Sequence, residues 1–181
     1  LICELDLRMA RRASGKECDE MTGFVNGEAF RAAMRRTASG VAVITTNGPH
    51  GPAGLTVSTL QSLSLDPPSV VMCVNVGSKS LAPLLANARF TANILATDQV
   101  DVAMAFADAH APSDRRFTIG LWRETATGSL MLDGALCNVD CRVGAVFEFG
   151  SHKIVVGEVV ELRAANAGPL IYANRGYRAL T

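Results

Sequence analysis

The chain alternates between helical and strand-like spacing of its apolar residues. Phe30, Ala33, Met34 and Thr37 fall on one side of a 3.6-residue repeat. With Asn26 or Gly27 ahead as a cap, they predict a helix from there to about Thr37, closed by Gly40. Val41 to Thr46 (VAVITT) is β-branched and predicts a strand. The turn cluster Asn47 to Gly54 (NGPHGPAG) then returns the chain as a hairpin. In the next stretch, LTVSTLQSLSL, Thr56, Ser58, Ser62 and Ser64 share one parity, so a single strand would carry a row of small hydroxyls on one face. Asp66-Pro67-Pro68 turns the chain into Val70 to Val76, an apolar run suited to a buried strand.

Ser78 to Ala88 (SKSLAPLLANA) predicts a helix with Ser78 and Ser80 as candidate caps, and Phe90 to Leu95 a short strand. A second helix is expected over Gln99 to Ala107, with Asp98 as N-cap and Asp101 in its first turn. Residues 108–128 are loop-rich and contain Arg115, Arg116, Phe117 and Trp122, the last a packing residue. Strands come next at about 136–149, 152–163 and 170–173. Six or more strands in hairpin-like succession, with two or three short helices, predict a mainly β, antiparallel barrel. No repeating strand–helix rhythm supports a doubly wound sheet.

Composition narrows the function classes. Of 181 residues, 49% are hydrophobic, ample for a core. Seventeen Lys and Arg balance 17 Asp and Glu, which removes the electrostatic footprint of a general nucleic-acid binder. No apolar run reaches the ~18 residues of a membrane span. Cys3, Cys18, Cys73, Cys137 and Cys141 are odd in number and scattered, which argues against a disulfide framework. Cys137 and Cys141 on one strand face would stand roughly 13 Å apart, too far to bond. Reduced thiols and the absence of an export signal point to the cytoplasm. Residues 1–20 are charge-rich, unlike the rest of the chain, and are expected to be an extension outside the core fold, with residues 21–181 forming the domain.

The usual nucleotide signatures, G-x-G-x-x-G and the Walker A lysine motif, are missing. His50, His110 and His152 sit in no triad-like context, and no metal-ligand spacing occurs. There remain the hydroxyl row and the NVGSKS after the apolar strand. Thr56 and Ser58 would lie about 6–7 Å apart on one face. Ser78, Lys79 and Ser80 stand at a predicted helix start, where backbone N–H groups and a lysine charge favour an anion such as phosphate. The plain alternative is an exposed strand face leading into a capped helix.

The order of these pieces, FRAAMRRTASGVAVITT, GLTVSTLQSLSLDPPSVVMCVNVGSKS, FTANIL, RF with GLW, and SHKIVVGEV with PLIYANRGYR, resembles the flavin reductase-like family from about Phe24 to Arg178. These are the reductase components of two-component flavin monooxygenases. The resemblance implies a six-stranded antiparallel Greek-key split β-barrel of the FMN-binding type, usually a homodimer. FMN or FAD would be the flavin and NADH or NADPH the hydride donor, and reduced flavin would pass to an oxygenase. Residue by residue, it sets the flavin ring against Thr56, Val57, Ser58 and Thr59, with Ser62 in the same motif. Asn75, Ser78, Lys79 and Ser80 would hold the ribityl and phosphate end. Arg116-Phe117 matches a loop motif near the flavin, and Asn93 matches the Asn of the strand after NVGSKS, with a purely structural role as its alternative. His152, opening S-H-x-x-x-x-G, would help seat nicotinamide, and Tyr177 of the terminal G-Y motif would reach the same region. Thr59 departs from the family, where many relatives carry Ser. A corrinoid reductase working through bound flavin, and a flavin- or haem-binding barrel without NAD(P)H turnover, are the competing readings.

Overall fold

The computed structural model describes residues 23–49 and 51–180, and the chain divides into two units, Leu1–Thr37 and Ala38–Thr181. Within the first, helix α1 (Gly27–Met34) begins where predicted. The Asn26 side chain accepts the Glu28 N–H at 2.7 Å, an N-cap bond. The expectation for residues 1–20 falls outside the described residues.

The second unit is built of short strands and three helices. In chain order these are β1 (Ser39–Gly40), β2 (Ala42–Thr46), β3 (Ala53–Val57), β4 (Gln61–Leu65) and β5 (Pro68–Asn75). Then come α2 (Leu81–Asn87), β6 (Arg89–Ile94), α3 (Val100–Ala107), α4 (Ser113–Arg116), β7 (Trp122–Glu124) and β8 (Leu130–Leu132). The long hairpin β9 (Cys137–Phe149) and β10 (His152–Ala164) is next, then β11 (Leu170–Ala173) and β12 (Gly176–Ala179). Seven strands form one antiparallel sheet in the order β3-β2-β6-β9-β10-β5-β4, with β1-β11-β12 and β7-β8 as small additional sheets. The mainly β antiparallel class holds. The sheet has seven strands rather than six, because the stretch expected as one hydroxyl-bearing strand is two.

That break is the main correction to the sequence reading. Ser58, Thr59 and Leu60 separate β3 from β4, which are the two edges of the large sheet. Thr56 therefore lies at one edge and Ser62 and Ser64 at the other, and no common hydroxyl face exists. The reason is local. The Thr59 hydroxyl bonds both the N–H and the carbonyl of Cys73 at 3.1 Å, drawing the crossing segment onto β5 instead of continuing the ladder. Two helix starts also differ. Gln99, not Asp98, caps α3, and Ser80 caps α2 without using its hydroxyl on the helix. Gln99 is committed elsewhere, accepting from Ala96 N–H at 3.0 Å and donating to the Asp133 carbonyl at 3.2 Å.

The sheet curls around one apolar cluster that includes Ile44, Val57, Met72, Val74, Phe90, Val139, Cys141 and Val155, with Leu81 and Leu84 of α2 joining it. The opposite side of β2 carries a second cluster, in which Val41 and Val43 meet Val102, Ala103 and Phe106 of α3, and Leu132 and Leu170. Trp122 packs here with Phe106 and Phe117 at centroid distances of 5.3 and 5.1 Å, in the packing role expected of it. Cys73, Cys137 and Cys141 are free thiols, and burial, with the Asp140 carboxylate adjacent, pushes Cys141 up to about 12. Among the described residues no helix is long and apolar enough to cross a membrane.

Gly157, the glycine of S-H-x-x-x-x-G, is fixed by packing. A Cβ there would stand 2.3 Å from Cζ of the fully buried Phe90 and 3.0 Å from Cβ of Cys141. Since close-packed cores accept little added volume, Gly157→Ala is expected to destabilise the fold by about 2–3 kcal/mol. Thermal melting should show a drop of roughly 4–12 °C, which Phe90→Leu in the same chain partly restores.

Candidate functional site

β3 is an edge strand, so some of its carbonyls face away from the ladder and need other donors. The carbonyl of Gly54 takes two. Ser80 Oγ, at the start of α2, donates at 2.7 Å, and Arg116 Nη1, at the end of α4, donates at 2.8 Å. Two segments distant in sequence are thereby pinned to one atom, and a cavity of about 460 Å³ lies beside it. Leu55, Phe106, Ala107 and Ala109 form its apolar part, and Thr56, Asn75, Ser78, Lys79, Ser80, His110 and Arg116, with the backbone of Gly77, its polar part.

The polar wall is built by a tight turn after β5. Asn75 Oδ1 accepts the Gly77 N–H at 2.8 Å, and the Asn75 carbonyl accepts the Ser78 N–H at 2.9 Å. Opposite, Arg116 is 6% exposed. It gives Nη2 to the Asp108 carbonyl at 2.6 Å, and its Nε–H has no partner. Among the described lining residues there is a lysine, an arginine and a histidine, and no carboxylate. A buried guanidinium without a carboxylate partner is costly unless a ligand supplies the counter-charge. The donor set is therefore that of a site for an anionic group. No cluster of His, Cys, Asp or Glu among the described residues could hold a metal.

A second cavity of about 230 Å³ shares Thr56 and Ala107 with the first and adds Val41, Val57, Ser58, Tyr172 and Tyr177. Tyr172 and Tyr177 are cross-strand partners on β11 and β12, with rings 5.3 Å apart, and burial, with the neighbouring Tyr172 second, pushes the Tyr177 phenol up.

The expected site residues divide accordingly. Asn75, Ser78, Lys79, Ser80, Arg116 and Thr56 come together around the larger cavity, and Val57, Ser58 and Tyr177 around the smaller. Several hydroxyls in this group are already spent. Thr56 Oγ1 donates to the Ala103 carbonyl at 2.7 Å, clamping α3 onto β3, and Ser80 is held by Gly54. Thr59 lines neither cavity, its hydroxyl being tied to Cys73. Ser62 stands on the far edge strand opposite Val70. Phe117 also lines neither, but packs edge-on to Phe106 at 5.0 Å and so supports a residue that does.

Asn93 takes the structural alternative: it is fully buried in the sheet, not at either cavity. Its Nδ2 donates to the Val43 carbonyl at 2.9 Å and to Thr45 Oγ1 at 3.1 Å. Its Oδ1 accepts from Leu132 N–H and Asn138 Nδ2, both at 2.8 Å. His152 lines neither cavity, but in register it pairs with Asn75 on β5 and with Phe149 on β9. Directly opposed residues present their side chains to the same face about 4.5–5.5 Å apart. His152 thus shares a face with a residue of the larger cavity, and its Nδ1 lies 2.9 Å from Ser151 Oγ. Sequence reasoning misses Phe106, His110 and Tyr172. His110 sits in a loop with no local motif, and the two aromatics give only packing signals.

The family model for the flavin reductase like domain matches residues 34–181. The FMN reductase (NADH) RutF of Methylorubrum populi is 39% identical over 157 residues, covering 86% of this chain and 77% of that protein. The reductase component of 4-hydroxyphenylacetate 3-monooxygenase from Pseudomonas aeruginosa is 35% identical, covering 84% and 91%. Among solved structures, BorF, the flavin reductase component of a bacterial two-component tryptophan halogenase, superposes with a TM-score of 0.80 at 30% identity, covering 86% and 98%.

Removing the Asn93 amide would leave several buried partners unsatisfied, at roughly 1–3 kcal/mol each. Asn93→Ala is therefore expected to cost at least about 3 kcal/mol in urea denaturation, while ligand affinity of the folded fraction stays unchanged.

Proposed function

The chain belongs to the flavin reductase-like domain family, and from that membership and its cavity we propose that it is an NAD(P)H:flavin oxidoreductase supplying reduced flavin to a partner oxygenase. The observation that carries this reading at the level of residues is the larger cavity, with its three basic side chains and no lining carboxylate among the described residues. That donor set suits the phosphate of FMN or the pyrophosphate of FAD. The flavin, when bound, accepts a hydride from the nicotinamide, and the protein's task is to hold the two rings face to face.

In this reading Ser78 and Lys79 receive the phosphate. Ser80 contributes by fixing the turn to Gly54. The ring lies along Thr56, Val57 and Ser58, where the two cavities meet, and backbone N–H groups after Thr56 face the pyrimidine edge that gains negative charge. Tyr177 and Tyr172 close the far side of the smaller cavity. His152, beside Asn75 and on the same face, seats the nicotinamide. No side chain of the cavity needs to act as a strong acid or base. Reduced flavin has to leave, so flavin binds weakly and behaves as a substrate.

A homodimer is part of the proposal. Phe147 and Phe149 occupy one face of the β9 end and are 59% and 79% exposed, with Val146 and Val76 exposed nearby. Apolar surface of this kind marks an interaction site, and a second copy of the chain is the occupant that the family membership supports. Light scattering should report a dimer for the native chain and a monomer for Phe147→Glu/Phe149→Glu.

The deciding assay adds NADH or NADPH to the protein with FMN or FAD and follows bleaching of the flavin band, at roughly 450 nm for an oxidised hydride acceptor. Turnover is expected, and its absence with every pairing would overturn the reading. Lys79→Ala and Ser58→Ala should raise the flavin KM, by about tenfold for the charge-assisted contact of Lys79, with kcat little changed. His152→Ala should instead raise the nicotinamide KM at saturating flavin.

A further inference from the structure

We infer that His110 is a phosphate-contacting residue of this cavity and that Arg116 is the brace that positions it. The inference rests on the reading of the cavity as a flavin site. His110 belongs to the loop between α3 and α4 and lines the same cavity as Ser78 and Lys79. Its imidazole has no hydrogen-bond partner among the described residues, whereas its backbone is firmly held. The His110 N–H donates to Asp108 Oδ1 at 2.8 Å, and the Asp108 carbonyl accepts from Arg116 Nη2 at 2.6 Å. Arg116 Nη1 in turn bonds the Gly54 carbonyl at 2.8 Å, the same atom that fixes Ser80. One carbonyl of β3 therefore sets the positions of both cationic walls: Lys79 through Ser80, and His110 through Arg116 and Asp108.

No carboxylate is among the described residues that line the larger cavity itself. Asp108 and Asp101 line a neighbouring cavity of about 530 Å³, which Arg116 also lines, with Met104 and Arg115. Asp108 Oδ1 accepts the His110 N–H, which fixes the turn that carries the imidazole. Arg116 itself is badly placed to clasp a ligand, because two of its three nitrogens are fixed to backbone carbonyls and the side chain is 6% exposed. It lends the cavity its charge and lends His110 its position. The exposed imidazole, free of internal partners, is the group that meets the phosphate together with Lys79.

Binding of FMN and of riboflavin, which lacks the phosphate, separates the possibilities when followed by flavin fluorescence on the full chain. His110→Ala should raise the FMN Kd about tenfold, the size of one charge-assisted contact, and change the riboflavin Kd less than twofold. In turnover the FMN KM should rise with kcat held within about twofold, and His110→Gln should recover part of the loss. Arg116→Lys cannot reach both carbonyls and should cost FMN affinity as much as His110→Ala, with the double variant no worse than either. Asp108→Ala, which releases the His110 N–H, tests the same brace should Arg116→Lys fold poorly, with an expected FMN loss of about threefold. An unchanged FMN Kd in His110→Ala, while Lys79→Ala loses FMN, would overturn the inference and leave the flavin reading standing. Unchanged FMN binding in both would overturn the flavin reading itself. Equal losses of FMN and riboflavin in Arg116→Lys or Asp108→Ala would assign those residues a purely structural role.

Discussion

A single edge-strand glycine governs the geometry of the site. Gly54 leaves no room for a side chain: a Cβ would stand 2.6 Å from Phe106 and 2.8 Å from the Ile44 carbonyl. Its bareness lets α3 press against β3. Its carbonyl, unused by the ladder at the sheet edge, is then satisfied by Ser80 and Arg116. An open edge normally invites pairing with another strand. Here two side chains occupy the exposed acceptor, and the same bonds draw together the elements that line the cavity. Edge protection and site assembly are one interaction.

The distribution of polar groups is a consequence. Small hydroxyls close to backbone are prone to be captured by it, and Thr56, Thr59 and Ser80 all are. Their hydroxyls brace the backbone around the cavities. Among the polar side chains that line the two cavities, Ser58, Lys79 and His110 are those that packing did not absorb. The buried polar residues behind them serve the same end, since Asn93 knits β2, β6, β8 and β9 into the rigid support on which β3 is laid.

Much of the fold is legible in the pattern of residues. The β-branched run before NGPHGPAG, the apolar strand after Asp66-Pro67-Pro68, and the long final hairpin all lie within a residue or two of their expected bounds. The hydroxyl row misleads because alternation specifies a face only while the strand continues. Nothing in LTVSTLQSLSL announces that Thr59 will bond across to Cys73 and end it. The NVGSKS turn is legible as a donor-rich feature because its polar groups are contiguous. The loop carrying His110 is not, because the Gly54 carbonyl to which Arg116 anchors it lies 62 positions from Arg116.

Local elements, the family and the contiguous half of the cradle can all be read from the chain alone, since each depends on near neighbours or on motifs in fixed order. Packing in three dimensions sets which hydroxyls remain available, which match to a family motif is structural, as with Asn93, and where the second cationic wall stands. Those outcomes depend on which distant group reaches a buried donor or acceptor first. Only the closed sheet, with Gly54 at its edge, resolves that competition.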